Sequence, residues 1–154
     1  MASGGYTSSL MFGVQWDLVL KHLETKGATQ AELKSDSTEW GNYGNNLYNI
    51  TNASSKYSTD SGATYTVGAY GEKTSAKSVL LSTGASSEFS KMGISDLAGN
   101  VWEWTLEYTA DSRGPCAYRG GRYYGDGYNY PASYRNYGST TFSDNLIGFR
   151  PALY

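Results

Sequence analysis

The stretch GISDLAGNVWEWT, residues 93–105, decides how the chain is read. Gly99 and Asn100 suit a tight turn with positive φ, since glycine has no Cβ to clash there and asparagine tolerates the left-handed region. Beyond the turn, VWEWTLEY (101–108) alternates as a strand does, which puts Trp102 and Trp104 on one face and Glu103 on the other. Two indoles on one face supply a large aromatic area to a core.

The pattern continues downstream. CAYRGGRYY (116–124), SYRNY (133–137) and IGFRPALY (147–154) carry aromatic and β-branched residues in short alternating runs, separated by Gly, Asp, Ser and Pro. These predict antiparallel strands joined by turns. Gly120 and Gly121 permit close approach of another segment, and Arg119 and Arg150 can make multidentate bonds to carbonyls or carboxylates.

Upstream, VQWDLVLKHLET (14–25) places Val14, Leu18, Val19 and Leu23 at helical spacing, with Gly27 as a stop and a further helical turn over Thr29–Leu33. His22 on this helix reads as a surface or packing histidine, because no titratable partner recurs near it. Residues 35–71 are rich in Ser, Thr, Asn, Gly and Tyr and read as loops with one short hairpin; VLLS (79–82) reads as a buried strand. The tripeptides at Asn49 and Asn52 match glycosylation acceptors, a pattern common by chance in such a stretch. The fold class is α+β: one or two helices on a short, twisted antiparallel sheet, with high loop content.

Composition narrows the function. A chain of 154 residues predicts one domain with a real core. Residues 1–11 read as a lead-in, either appended or the cut edge of a longer chain, and 12–154 as the domain. A single Cys and a single His leave no internal disulfide, no Cys/His zinc site and no imidazole-based triad to assemble. A net charge of −2 gives no electrostatic ground for nucleic-acid binding, and no apolar run is long enough to insert into a membrane. The opening MASGGYTSS lacks the regions of a signal peptide.

Seven of the 15 tyrosines fall between Tyr118 and Tyr137, while all seven lysines precede residue 92 and all five arginines follow residue 112. The chain has two compositional halves.

The run GISDLAGNVWEWT, followed by YRGGRYY and closed by IGFR, resembles the formylglycine-generating enzyme family of sulfatase-modifying factors, whose domains are a variant of the C-type lectin fold. The resemblance covers about residue 12 to the end, with Trp16 and Asp17 standing where that family has a helical Trp-acid pair. It implies a calcium site built from the carboxylates of Asp96 and Glu103 and the carbonyls of Gly99 and Val101, hard oxygen ligands of the kind calcium needs. The alternative is that Asp96 caps its turn and Glu103 pairs with an arginine. No other cofactor is implied.

The family's oxidase, as the resemblance implies, binds copper through two cysteines after the Arg-Gly-Gly motif. Here that stretch, RYYGDGYNYPASYR (122–135), has no sulfur, and Cys116 precedes the motif on a strand. Soft thiolates are what copper(I) requires. In their place stands an alphabet of Tyr, Asn, Ser, Asp, Gly and Arg, the residues that binding loops use for rigid contact area and adaptable hydrogen bonds.

This combination resembles the variable proteins of diversity-generating retroelements, which place a diversified C-terminal region on the same scaffold. It implies a non-enzymatic module recognising a protein or glycan target on a cell surface, carried on a virion tail or a bacterial surface. Residues 118–145 are then the candidate variable region. Arg122, Tyr123, Tyr124, Asp126, Tyr128, Asn129, Tyr130, Asn136 and Tyr137 are the expected ligand contacts; Arg119, Gly120, Gly121, Arg135, Phe149 and Arg150 are the expected framework. Tyr118 and Tyr134 read as buried cross-strand packing. The rival readings are a divergent sulfatase-modifying oxidase and a structural tail or fibre domain.

Overall fold

The computed structural model describes Gly5 and residues 7–153. The chain opens with β1 (Ser8–Leu10), α1 (Gly13–Thr25) and α2 (Gln30–Lys34). Short strands follow: β2 (Tyr48–Ile50), β3 (Lys56–Ser58), β4 (Thr66–Val67), β5 (Gly71–Lys73), β6 (Leu80–Leu81), β7 (Ser90–Lys91) and β8 (Ile94–Ser95). The C-terminal half holds β9 (Trp102–Tyr108), β10 (Cys116–Arg119), β11 (Arg135–Gly138), β12 (Ile147–Phe149) and β13 (Pro151–Leu153). The result is the expected α+β architecture.

Helix α1 forms where the periodicity places it, but it buries a different stripe. Gly13, Trp16, Leu20 and Leu23 face inward, whereas Val14 and Leu18 are 66% and 62% exposed. Two residues in either direction is about 200° of helical rotation, so a helix that buries Trp16 must turn Val14 and Leu18 outward. The indole is the larger apolar group and also finds a polar partner, donating from Nε1 to the Ala132 carbonyl at 3.0 Å. Gly27 ends the helix with φ +110°, and the Thr29 side chain caps α2 by accepting from the Glu32 amide.

The main sheet has the order β11-β10-β9-β12. Its first three strands are antiparallel, but β12 runs parallel to β9, with Ile147 opposite Trp102 and Phe149 opposite Trp104. The expected all-antiparallel sheet is corrected here: the long excursion between β11 and β12 lets the chain re-enter in the same direction as β9. Strand β10 stops at Arg119, not at Tyr124, because Gly120 and Gly121 take φ +92° and +87° and leave the extended region. Ser8–Leu10, assigned from sequence to the lead-in, pairs antiparallel with Pro151–Leu153. Residues 1–4, 6 and 154 lie outside the described residues.

The segment 35–71 carries more pairing than one hairpin. Strand β2 pairs with β5, and β3 pairs with β4 and also with β6, the strand expected from VLLS. Two apolar clusters result. One gathers Trp16, Leu20, Leu23, Leu33, Trp40, Tyr43 and Leu97; the other gathers Tyr48, Ile50, Val79, Leu81 and Phe89.

A buried pair of asparagines joins the clusters. Asn42 donates from Nδ2 to Asn100 Oδ1 (3.0 Å) and to the Val79 carbonyl (2.9 Å), while the Asn100 amide donates to the Asn42 carbonyl (2.8 Å). Asn100 also donates to the Leu81 carbonyl and accepts from the Leu81 amide. The positive φ of Asn100, +59°, is what turns its side chain into this junction.

Candidate functional site

Residues 120–134 contain no helix and no strand, yet long-range bonds hold their backbone throughout. The Gly99 amide donates to the Gly120 carbonyl (2.7 Å) and the Tyr123 amide to the Asn100 carbonyl (2.7 Å). The Gly44 amide donates to Gly125 (2.8 Å), and the Ser37 amide to Gly127 (3.2 Å). Tyr43 Oη donates to the carbonyls of Tyr130 (2.7 Å) and Gly120 (3.2 Å). At the far end the Ala132 amide reaches Ser37 Oγ (2.9 Å), and the Ser133 amide reaches the Leu33 carbonyl (3.0 Å). These bonds engage main chain on the loop side, so they place the loop whatever side chains it carries.

Along 121–128 the burial alternates. Gly121, Tyr123, Gly125 and Gly127 are buried; Tyr124 and Tyr128 are 62% and 56% exposed, and Arg122 and Asp126 lie between. The inward glycines have no room for anything larger. A Cβ on Gly127 would lie 2.3 Å from the Thr38 amide nitrogen, and one on Gly121 would lie 2.5 Å from the Tyr130 carbonyl oxygen. Inward positions anchor the loop, and outward positions present side chains.

Tyr123 is therefore corrected: it is 1% exposed and packs inside, so it cannot touch a ligand. Arg122, Tyr124 and Tyr130 are brought together, with the Arg122 guanidinium carbon 5.5 Å from the Tyr124 ring centroid and 5.3 Å from that of Tyr130. Asp126, Tyr128 and Asn129 form a second group, in which Asn129 Nδ2 donates to Asp126 at 3.4 Å. Asp126 beside the Tyr128 phenol pushes its pKa above the ordinary range.

Asn136 and Tyr137 separate from these and from each other. As neighbours on β11 they project to opposite faces of the sheet, so one flat ligand surface cannot use both. Tyr137 is 47% exposed and stands against Gly114.

An aromatic chain links the loop to the sheet. Tyr130 meets Trp102 and Tyr134 edge-on at 5.5 and 5.2 Å; Trp102 meets Tyr118 at 5.3 Å, and Tyr118 meets Trp104 at 5.1 Å. Phe142 stacks beyond them, 6.4 Å from Tyr118. Tyr118 is buried as expected, but Tyr134 is 37% exposed and joins the surface instead. Phe142 and Tyr134 are site residues that sequence reasoning missed. SYRNY places Tyr134 on a strand, whereas β11 begins only at Arg135; Phe142 lies in the connection after β11, on which alternation is silent.

The framework arginines behave as their chemistry requires. Arg119, 2% exposed at its side chain, donates to Asp17 (2.7 Å) and Glu107 (3.1 Å), and Arg135 pairs with Glu107 at 2.6 Å. Arg150 forks onto Glu103, with Nε to Oε2 at 2.9 Å and Nη2 to Oε1 at 2.8 Å. Phe149, expected to be framework, is 67% exposed. It sits on the edge strand β12, with no further strand to cover it.

The same corner tests the calcium expectation. Both oxygens of Glu103 are committed to Arg150, which matches the arginine-pairing alternative. Asp96 is 4% exposed; its Oδ2 accepts from the Gly84 amide at 2.7 Å and its Oδ1 has no partner among the described residues. Burial pushes the pKa of both carboxyls up, against the pull of Arg150. Among the described residues no three His, Cys, Asp or Glu side chains converge on one point. Calcium takes 6–8 oxygen ligands, and of these two carboxylates only Asp96 Oδ1 is uncommitted, which supports the arginine-pairing alternative.

Cys116 opens β10 half-buried, on the strand before the Gly120–Gly121 turn. Among the described residues no helix is long and apolar enough to cross a membrane.

Known proteins agree with this geometry. A solved structure, Treponema denticola variable protein 1, superposes with a TM-score of 0.54 at 20% identity, covering 94% of this chain and 46% of that one. This chain thus spans less than half the length of that protein, and the two share the C-type lectin-like fold. No curated protein sequence matches at a significant level. The family description "Sulfatase-modifying factor enzyme 1-like domain" matches residues 13–153, nearly the whole chain, and the chain belongs to that family.

Proposed function

We propose that this chain is a non-enzymatic binding module whose 122–130 loop, with Tyr134 beside it, recognises a protein target on a cell surface. One observation carries the reading: the loop is fastened by backbone bonds at alternate buried positions, while Arg122, Tyr124, Asp126 and Tyr128 project between them. A scaffold that depends on main chain and on Gly121, Gly125 and Gly127 tolerates exchange of the outward residues, since each exposed substitution costs little stability. The loop's composition supports the same reading, because tyrosine gives large contact area at small entropic cost. The variable protein of T. denticola has the same fold, and its name fits a scaffold that presents changing side chains.

The oxidase alternative is disfavoured by residue chemistry. The segment after the Arg-Gly-Gly motif contains no thiol to bind copper(I), and Cys116 stands alone. Retroelement diversification of the loop is part of the proposal. Sequencing the coding region for 118–145 across a source population tests it: substitutions should concentrate at adenines in codons 122, 124, 126 and 128 and spare 121, 123, 125 and 127. Uniform copies, or changes spread evenly over both sets, would sink it. Conversion of cysteine to formylglycine in a sulfatase-motif peptide would overturn the non-enzymatic reading.

A further inference from the structure

Four of the five arginines have a carboxylate partner within 4 Å: Arg113 with Asp111, Arg119 with Asp17 and Glu107, Arg135 with the same two acids, and Arg150 with Glu103. Arg122 has none among the described residues. Aromatic rings hold its guanidinium instead, over Tyr124 and Tyr130, and Tyr130 is itself wedged against Trp102 and Tyr134. Its Nε is buried without an acceptor, while the two terminal nitrogens make no hydrogen bond to the described residues and are not closed off. The fork is oriented, part-desolvated and unanswered.

Resting on the binding-face reading above, we propose that Arg122 is the anchor for an acidic side chain, Asp or Glu, of a partner protein. The two oxygens of a carboxylate span the two terminal nitrogens end-on, the bidentate geometry that guanidinium favours. Partial desolvation strengthens such a pair relative to one in open water. The surroundings select a single charge. Asp126 stands four residues along the same loop, beside Tyr128, so a phosphate dianion or a polyanion meets more repulsion than a lone carboxylate does. The shape selects a protein. Cavities of about 240–400 Å³ lie elsewhere on the molecule, lined by none of Arg122, Tyr124 or Tyr130, and the half-buried Arg122 shares its loop with the exposed rings of Tyr124 and Tyr128, broad contact area suited to a protein surface. A partly desolvated Arg held among tyrosines has the makeup of an interface hot spot.

The test uses the full chain as bait and a displayed library of small folded domains as probe. Binders are sorted by loss of affinity for the double variant Y124A/Y128A, which identifies those seated on the loop. For these, R122Q should weaken binding about 30-fold and R122K about 10-fold, and replacing one binder Asp or Glu by its amide should cost as much, without adding to R122Q. Unchanged melting of R122Q and R122K shows that the scaffold is intact. Loop-directed binders indifferent to Arg122 overturn the anchor and leave the binding face standing; absence of loop-directed binders overturns the face itself. A sialylated or uronate-bearing glycan array bound by the native chain and not by R122Q, with no protein binder depending on Arg122, overturns the choice of a protein carboxylate.

Discussion

Two parts of this chain are written in nearly the same alphabet of Gly, Tyr, Asn, Ser and Asp, and the fold uses them differently. Residues 51–70 are fixed in part by β3, which pairs outward with β6, but their turns are closed by near neighbours: Asp60 accepts from Thr64 and Ser58, Ser54 donates to Asn52, and the tyrosines Tyr57 and Tyr70 meet edge-on within the segment. Residues 120–134 contain less regular structure and are tied to α1, the segment after α2 and the turn at Gly99–Asn100 by bonds spanning tens of residues. The comparison teaches that a loop's rigidity comes from where its backbone bonds end and not from whether it forms a strand. A binding surface needs the second kind, because pre-organised contacts lose less entropy on association.

The largest break in this comparison is a matched pair of glycine substitutions. Gly62 and Gly121 have nearly equal φ, +86° and +87°, but a Cβ on Gly62 first meets the end of the Tyr65 side chain at 3.2 Å, while one on Gly121 meets backbone at 2.5 Å. G62A should cost about 1 kcal/mol from backbone strain alone, and G121A about 3 kcal/mol once overpacking is added. Urea unfolding of both variants measures the difference; equal losses would mean that the 120–134 loop is no better fixed than 51–70.

Removing one hydroxyl gives a smaller effect. Y43F deletes the donor to the Tyr130 and Gly120 carbonyls in a fully buried setting and should cost about 1–2 kcal/mol, with faster amide exchange across 121–130. Y65F, on an exposed ring of the other segment, should change stability by less than about 0.5 kcal/mol.

Lys73 connects the two regions and carries a pH signature. It is 2% exposed, donates to the carbonyls of Tyr43 (2.7 Å) and Gly44 (2.9 Å), and has no carboxylate partner among the described residues; burial pulls its pKa down to about 8. Between about pH 8 and the ordinary lysine value near 10.5 the unfolded chain binds the extra proton, so the contribution of Lys73 to stability should rise with pH across that window and be flat above it. K73M should abolish this slope in thermal melts taken from pH 7.5 to 10.5. A slope that persists in K73M would assign it to another group.

The smallest expected effect concerns the Asp96 corner. With Glu103 satisfied by Arg150, millimolar calcium should leave the melting temperature unchanged within about 1 °C. A calcium-dependent rise that vanishes in D96N would restore the ion.

Much of the fold was legible in the residues. The Gly99–Asn100 turn, the helix over 14–25, the strand after the turn and the paired roles of Arg119 and Arg150 follow from local preference and charge, and all are present. What failed did so for identifiable reasons. Helical spacing names two candidate stripes when six apolar residues crowd little more than three turns, and only the socket around Trp16 chooses between them. The run of Tyr123, Tyr124, Tyr128 and Tyr130 reads as one platform by composition, yet Tyr123 is core and Tyr130 is half-buried against Trp102.

The sequence by itself determined the chemistry available: one thiol, one imidazole, an acidic balance, and a tyrosine-rich stretch with no sulfur after Arg119-Gly120-Gly121. Those are properties of composition and do not depend on contacts. Which of those tyrosines are exposed, and which arginine has no carboxylate partner among the described residues, only the tertiary structure decided. Both depend on where backbone from residues 37–44 and 97–100 meets the loop, and on carboxylates as far away in sequence as Asp17 and Glu107, distances over which no local preference can act.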